Sequence, residues 1–268
     1  MANDTDIEST ATVGSLERGL QVLEAVRSSL TPLSLGQIAE AVGLDASTTL
    51  RCLKILRRRG YVFRLEPSKS YTVGRAVLAP AGQTEIFFDL RRDVHPHLVQ
   101  MMAETQLTAT LLLIFGTSRV GLEVVQGKDR LIPYNSAEIA GPLHSTVSGK
   151  LWLLAQPRAA AEAALAGKAL ARYTEHTCTD PEVVLAQIAA AEARGFVETR
   201  DETLRGVFGL GAPLRARNGR ILAGICLYGN SHGVSPAAGE TAAARLVETA
   251  AFVSETAGSL DQIARLMR

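Results

Sequence analysis

Five cations crowd into the stretch DASTTLRCLKILRRRG, residues 45–60: Arg51, Lys54, Arg57, Arg58 and Arg59. A guanidinium presents a planar fork of donors that matches phosphate oxygens and the O6/N7 edge of guanine. Over residues 46–75 the cations number eight, with Arg64, Lys69 and Arg75 added, against one acid, Glu66. The local charge is therefore +7 in a chain whose net charge is +1. Such segregation serves a polyanionic partner. The rival reading is a solvated helix face whose terminal cations offset the helix macrodipole. The elements around the stretch decide between them.

Ser15 opens a helix over 15–29, with Leu16, Leu20, Leu23 and Val26 at helical spacing. Thr31-Pro32 breaks it. Ser34 caps a short helix over 35–42, Gly43 suits a left-handed C-terminal cap, and Asp45 caps a third helix over 46–59 that Gly60 closes. Two short helices around a tight turn form a helix-turn-helix. Residues 61–65 and 70–73 then read as strands joined by a turn at 66–69, which makes the unit a winged helix-turn-helix. In the third helix Thr49, Cys52, Leu53 and Leu56 form the buried stripe. That leaves Ala46, Ser47, Thr48, Leu50, Arg51 and Lys54 for the major groove. Arg51 suits a guanine, Leu50 a thymine methyl, and the Ser47 and Thr48 hydroxyls and free N–H groups of the helix start suit phosphate. Arg57, Arg58 and Arg59 span most of a turn and cannot all face DNA; Arg58 represents them in the expected contact set. Ser34 and the wing residue Lys69 complete it, although a turn lysine is equally read as merely exposed.

Residues 76–105 read as one long connecting helix, patterned by Leu90, Val94, Leu98 and Met102 and open to kinking at Pro80 and Pro96. From Thr108 the texture changes. TATLLLIFG and RVGLEVVQG are strand-like runs joined by a Thr-Ser turn. A polar segment containing Gly and Pro leads to helices near 145–155, 157–167 and 181–195. Strands follow near 196–200, 207–216 and 220–230, the last two joined at Asn218-Gly219, and then a helix over 236–267. This half reads as an α+β domain with a largely antiparallel sheet.

Other chemistries find little support. Cys52, Cys178 and Cys226 are scattered and odd in number, against a disulfide framework or zinc knuckle. His95-x-His97 is the only close histidine pair, and Pro96 lies between them. No G-x-S-x-G occurs, and no G-x-G-x-x-G follows a strand; His144 beside Ser145 is adjacency, not a triad. No catalytic residue, metal or cofactor is expected, nor a membrane partner, since no apolar run reaches the roughly 18 residues a span needs. The polar, acidic residues 1–13 read as a disordered tail, and the cytoplasm as the location.

The stretches SLERGLQVLEAV, LSLGQIAEAVGLDASTTLRCLKILRRRGYV and SYTVG resemble the DNA-binding domain of IclR-type bacterial transcription regulators. GPLHSTVSGK and the run from Thr179 to Gly229 resemble the effector domain of the same family, so the likeness spans nearly all of residues 14–260. The resemblance implies a winged helix-turn-helix over 14–76, a linker helix over 77–92 and a GAF-like effector-binding domain over 93–268. It also implies homodimers or tetramers on palindromic double-stranded operator DNA, repression as the default mode, and a small organic effector. Carried over by position, the effector would lie between a loop of Leu143, His144, Ser145, Thr146, Val147 and Ser148 and a sheet side of Gly209, Cys226 and Tyr228. Ser145 or Thr146 caps a helix there, with N–H groups suited to a carboxylate. Gly209 should make room and Tyr228 should offer an aromatic face, which favours a larger, aromatic or amphipathic ligand. The bland alternatives are that Tyr228 packs in the core and that Cys226 is a small buried residue. Gly149-Lys150 lacks phosphate-loop spacing, so Lys150 is read as structural, and Glu202 as orienting the loop. Two other functions stay open: a DNA-binding oligomer with no effector, and, more remotely, a small-molecule enzyme.

Overall fold

Ser34 and Gly43 set the geometry of the N-terminal helices in the computed structural model, which describes residues 14–78, 84–130, 141–167 and 169–267. The chain divides into two compact units between Gly82 and Gln83. The expected tail at 1–13, the kink at Pro80 and most of the polar segment after 130 lie outside the described residues.

In the first unit α1 (Ser15–Ser28), α2 (Leu35–Val42) and α3 (Ala46–Arg58) precede a hairpin of β1 (Val62–Arg64) and β2 (Tyr71–Val73), and α4 (Arg75–Leu78) follows. Ser34 and Gln37 form a reciprocal capping box, and Gly43 ends α2 at φ 64° in the left-handed region. Val22, Val26, Ile38, Leu53, Val62 and Tyr71 make the core. Two expectations for α1 fail. Gly14, not Ser15, occupies the N-cap and makes no side-chain bond. Leu16 and Leu20 are 77% and 49% exposed, while Val22 is fully buried. Leu20 precedes Val22 by two residues, about 200° around the helix, so the two cannot share a face. The wing is anchored on its inner side by Leu33, which exchanges backbone hydrogen bonds with Tyr71 at 3.0 and 2.7 Å.

The second unit begins with α5 (Glu85–Thr105), so the expected connector at 77–92 falls partly on α4 and partly on α5. Leu90, Val94 and Leu98 are buried as their spacing predicts; Met101 takes the fourth position and Met102 is only partly covered. The sheet is antiparallel throughout, in the order β4-β3-β7-β6-β5. Its strands are β3 (Thr108–Phe115), β4 (Ser118–Val125), β5 (Val197–Arg200), β6 (Val207–Arg215) and β7 (Ile221–Asn230). Ser118 already pairs with Phe115, so the β3–β4 turn is Gly116-Thr117, a residue earlier than expected. Helices α6 (Val147–Ala155), α7 (Arg158–Leu165) and α8 (Pro181–Arg194) follow β4, and α9 (Pro236–Thr256) and α10 (Gly258–Leu266) end the unit. The expected single C-terminal helix is thus two, because Ala257 leaves helical geometry at ψ 92°.

Both faces of the central strands are covered, which explains their continuous apolar runs. Alternate residues divide between two cores: Leu111, Leu113, Leu210 and Ile225 pack with α5, α9 and α10, whereas Leu112, Ile114, Cys226 and Tyr228 pack with α6 and α8. On that second face α6 presses close. A Cβ at Gly211 would stand 2.6 Å from Val147 Cγ1, and one at Gly224 would stand 2.8 Å from Leu151 Cδ1.

Candidate functional sites

The start of α3 is set by Asp45. Its Oδ1 accepts from the Ser47 and Thr48 backbone N–H groups, both at 2.9 Å, and from the Ser47 hydroxyl at 2.7 Å. The Ser47 and then the Thr48 hydrogen bonds hold the Asp45 carboxyl well below the usual carboxylate range. This corrects one expectation. The N–H groups meant for phosphate are taken by a fixed anion, and the Ser47 hydroxyl hydrogen is engaged too. Contacts by Ser47 must come from its remaining lone pairs. Ala46, Arg51, Lys54 and Arg58 are exposed on α3, Thr48 and Leu50 are half-buried, and Thr49 and Leu53 are buried beneath them. Ser34 is exposed while its backbone N–H donates to Gln37 Oε1 at 2.8 Å.

A cleft of about 410 Å³ opens between α3 and the hairpin. Its polar side is Lys54, Arg57, Arg64 and Lys69, and its apolar side includes Leu35, Leu50 and Tyr71. Among the described residues, Arg64 with Glu66 at 3.1 Å is the one ion pair of this unit. Lys54 and Lys69 thus share a cleft as a groove-facing pair would, while Arg58 lies outside it. Arg57 and Arg64, counted among the cations but not in the expected contact set, line the cleft too. Leu50, Lys54 and Arg57 stand at i, i+4 and i+7, a helical face that could have singled out Arg57 among the three arginines.

In the second unit Thr146 caps α6, accepting from Gly149 N–H at 3.0 Å and donating to the Pro142 carbonyl at 2.7 Å. Several polar groups are buried around it. His144 bonds the Ala171 carbonyl through Nε2 at 2.9 Å and stacks on Tyr173. Ser145 is tied to the Thr203 hydroxyl, at 3.0 Å from its Oγ and 2.7 Å from its carbonyl. Ser148 accepts from Arg119 at 3.2 Å, and the same guanidinium reaches the Gly141 carbonyl. Of the residues expected to line a pocket, Val147 meets the sheet side together with partly buried Leu143, whereas His144 and Ser145 are bonded to loops at 171–173 and 203.

The room expected at Gly209 is filled. A Cβ there would stand 2.5 Å from Val147 Cγ2 and 3.2 Å from Tyr228 Cδ1. Gly209 pairs with Tyr228 across β6 and β7, and both Cys226 and Tyr228 are buried in the core against α6. Burial pushes the Cys226 thiol up to about 12, so it stays protonated at neutral pH. Nearby, Lys150 is almost fully buried; its Nζ donates to Glu202 Oε1 at 2.7 Å, Oε2 at 2.9 Å and Gln187 Oε1 at 3.0 Å. Desolvation raises the Glu202 pKa in spite of this partner. The pair ties α6 to the loop after β5 and borders an opening of about 450 Å³. His95 lies 3.8 Å from Glu123 and His97 packs edge-on against Phe252, so the two histidines have different partners. No described helix is long and apolar enough to cross a membrane.

A winged helix-turn-helix with a largely unpaired basic face, joined in one chain to a helix-covered antiparallel sheet, defines a two-part DNA-binding regulator. The chain matches the model of the bacterial transcriptional regulator IclR C-terminal domain over residues 87–255 and that of the IclR helix-turn-helix domain over residues 15–66. It belongs to the IclR family of transcriptional regulators. It is 25% identical to the HTH-type transcriptional regulator XynR of Escherichia coli over 80% of this chain and 85% of that one. It is 26% identical to the transcriptional repressor IclR of the same organism over 82% and 81%. Its fold is that of an IclR homolog from Microbacterium hydrocarbonoxydans, solved as a complex with 4-hydroxybenzoate, with TM-score 0.72, 21% identity and coverage of 94% and 100%. The family and the two Escherichia coli relatives are transcriptional regulators, not enzymes.

Proposed function

We propose that the protein is a ligand-responsive repressor that binds a palindromic operator as a homodimer or tetramer and is released or re-oriented by a small organic effector. The observation that carries the DNA half is the segregation of charge, with eight cations against one acid over residues 46–75. Arg51 reads a base edge on this account, while Lys54, Arg58 and Lys69 hold phosphates, with Ser34, Ala46, Ser47, Thr48 and Leu50 at the same face.

The effector half places a carboxylate or aromatic compound between residues 143–148 and Gly209, Cys226 and Tyr228. Buried Arg119 and Ser148, bonded to each other, support it as polar groups near the apolar contact of Val147 with the sheet. A relative of the same fold holds 4-hydroxybenzoate, an aromatic carboxylate. Binding in one unit alters operator affinity through the segment between them, by a coupling of roughly 5- to 150-fold. Val147 against Gly209 favours a second reading, a DNA-binding oligomer that takes no effector at this place.

Selection of duplexes by the full chain from a random pool supplies an operator. Aromatic and aliphatic carboxylates, 4-hydroxybenzoate first, are then screened by thermal melting and by operator affinity. A compound that raises the melting temperature and shifts operator affinity supports the sensor. A compound that raises the melting temperature and leaves affinity unchanged contradicts the coupling, and no response to any compound favours the second reading.

A further inference from the structure

We propose that the cleft between α3 and the wing is the seat of one DNA phosphodiester, and that Arg57 and Arg64, together with Lys54 and Lys69, are the residues that clamp it. The inference rests on the DNA-binding reading of this unit and deepens it. Four cations converge on about 410 Å³, and the one acid near them, Glu66, is bonded to Arg64. Among the described residues Lys54, Arg57 and Lys69 have no acid partner, so the cleft carries uncompensated positive charge. Arg64 is only partly engaged, since its Nε–H is buried without an acceptor and Glu66 leaves the guanidinium incompletely satisfied. Lys69, in the turn between β1 and β2, lines the cleft opposite α3. The walls fit the rest of a nucleotide backbone, since Leu35 and Leu50 give an apolar surface for a sugar edge while the cations take its phosphate. The start of α3 cannot serve as this seat, because Asp45 already fills it with negative charge.

The three consecutive arginines thereby separate. Arg57 points its chemistry into the cleft, while Arg59 forms the C-cap of α3 and does not line it. The test uses the full chain, a labelled random-sequence duplex and fluorescence anisotropy over a series of salt concentrations. The double variant Arg57→Gln/Arg64→Gln should flatten the slope of log affinity against log salt by up to about 0.9, the share of the one phosphate the four cations hold, a loss of up to roughly eightfold in affinity near 0.1 M salt, and each single variant by less. Arg57→Lys/Arg64→Lys should restore most of the slope, and Arg59→Gln should change it by less than half as much as the double variant. Thermal melting of each variant separates loss of fold from loss of contact. If the wild type binds and the double variant keeps its slope, the clamp is overturned and the DNA reading stands. If the wild type does not bind duplex, both fall. Displacement of the duplex by inorganic phosphate, but not by sulfate at equal ionic strength, would reassign the cleft to a free phosphate and overturn the phosphodiester assignment.

Discussion

Lys54 and Lys150 both sit on helices, and the protein uses them in opposite ways. Lys54 is exposed on α3 and has no acid beside it, in a unit with one described ion pair. Lys150 is buried on α6 with Glu202 and Gln187 closed around its Nζ. The same contrast runs through the two units. Cations that must meet an external polyanion are left uncompensated in water, where holding them costs little. Polar groups inside the second unit are paired with one another, because burying an unpaired charge costs far more than leaving one exposed. Charge in the first unit is thus available for binding, and charge in the second holds the fold around α6.

The largest test of that contrast is Lys150→Met. It leaves Glu202 buried without its cation and should destabilise the protein by about 3–5 kcal/mol in denaturant unfolding; a change of the size seen for exposed ion pairs would show that the pair is not structural. Gly209→Ala comes next. Its new methyl meets Val147, so a loss of about 1–3 kcal/mol is expected, with much of it recovered in the Gly209→Ala/Val147→Ala double variant. Additive losses would mean that α6 does not rest on Gly209. On the first unit, Arg51→Ala should relax discrimination at one operator position by about 1–3 kcal/mol, whereas Lys69→Ala should weaken all duplexes alike and flatten the salt slope by less than about 0.9. Identical effects of the two would erase the division between base reading and phosphate contact. The smallest effect concerns acid. Asp45 has a folded pKa below its ordinary 3.8, so it contributes stability that is fully present above that value and is lost as the pH falls from there through the lower folded pKa. Asp45→Asn should cap α3 comparably but show a weaker fall in stability below about pH 4; parallel curves for the two proteins would contradict the role of the carboxylate.

The first unit was legible because its determinants are local. Ser34, Gly43 and Asp45 act on neighbours within a few residues, so their capping roles can be read along the chain. Leu16 and Leu20 misled because an apolar residue on a helix does not say which face meets the rest of the unit. The second unit was legible in its strands and turns but not in its packing. Gly209 reads as an opening when only its missing side chain is known; that Val147 fills the space depends on where α6 crosses the sheet. Likewise Lys150 and Glu202 are far apart in sequence, and nothing local joins them. Arg64 counts in the sequence only as one cation among eight, for a similar reason: its place beside α3 exists only once the hairpin folds back.

If the uncompensated charge of the first unit binds DNA, the affinity of the wild-type chain for duplex DNA must depend steeply on salt. Log affinity should fall linearly with log salt, with a slope steeper than about −4 at roughly −0.9 per phosphate neutralised, for selected and random duplexes alike. A slope near zero, or no binding at low salt, would contradict it.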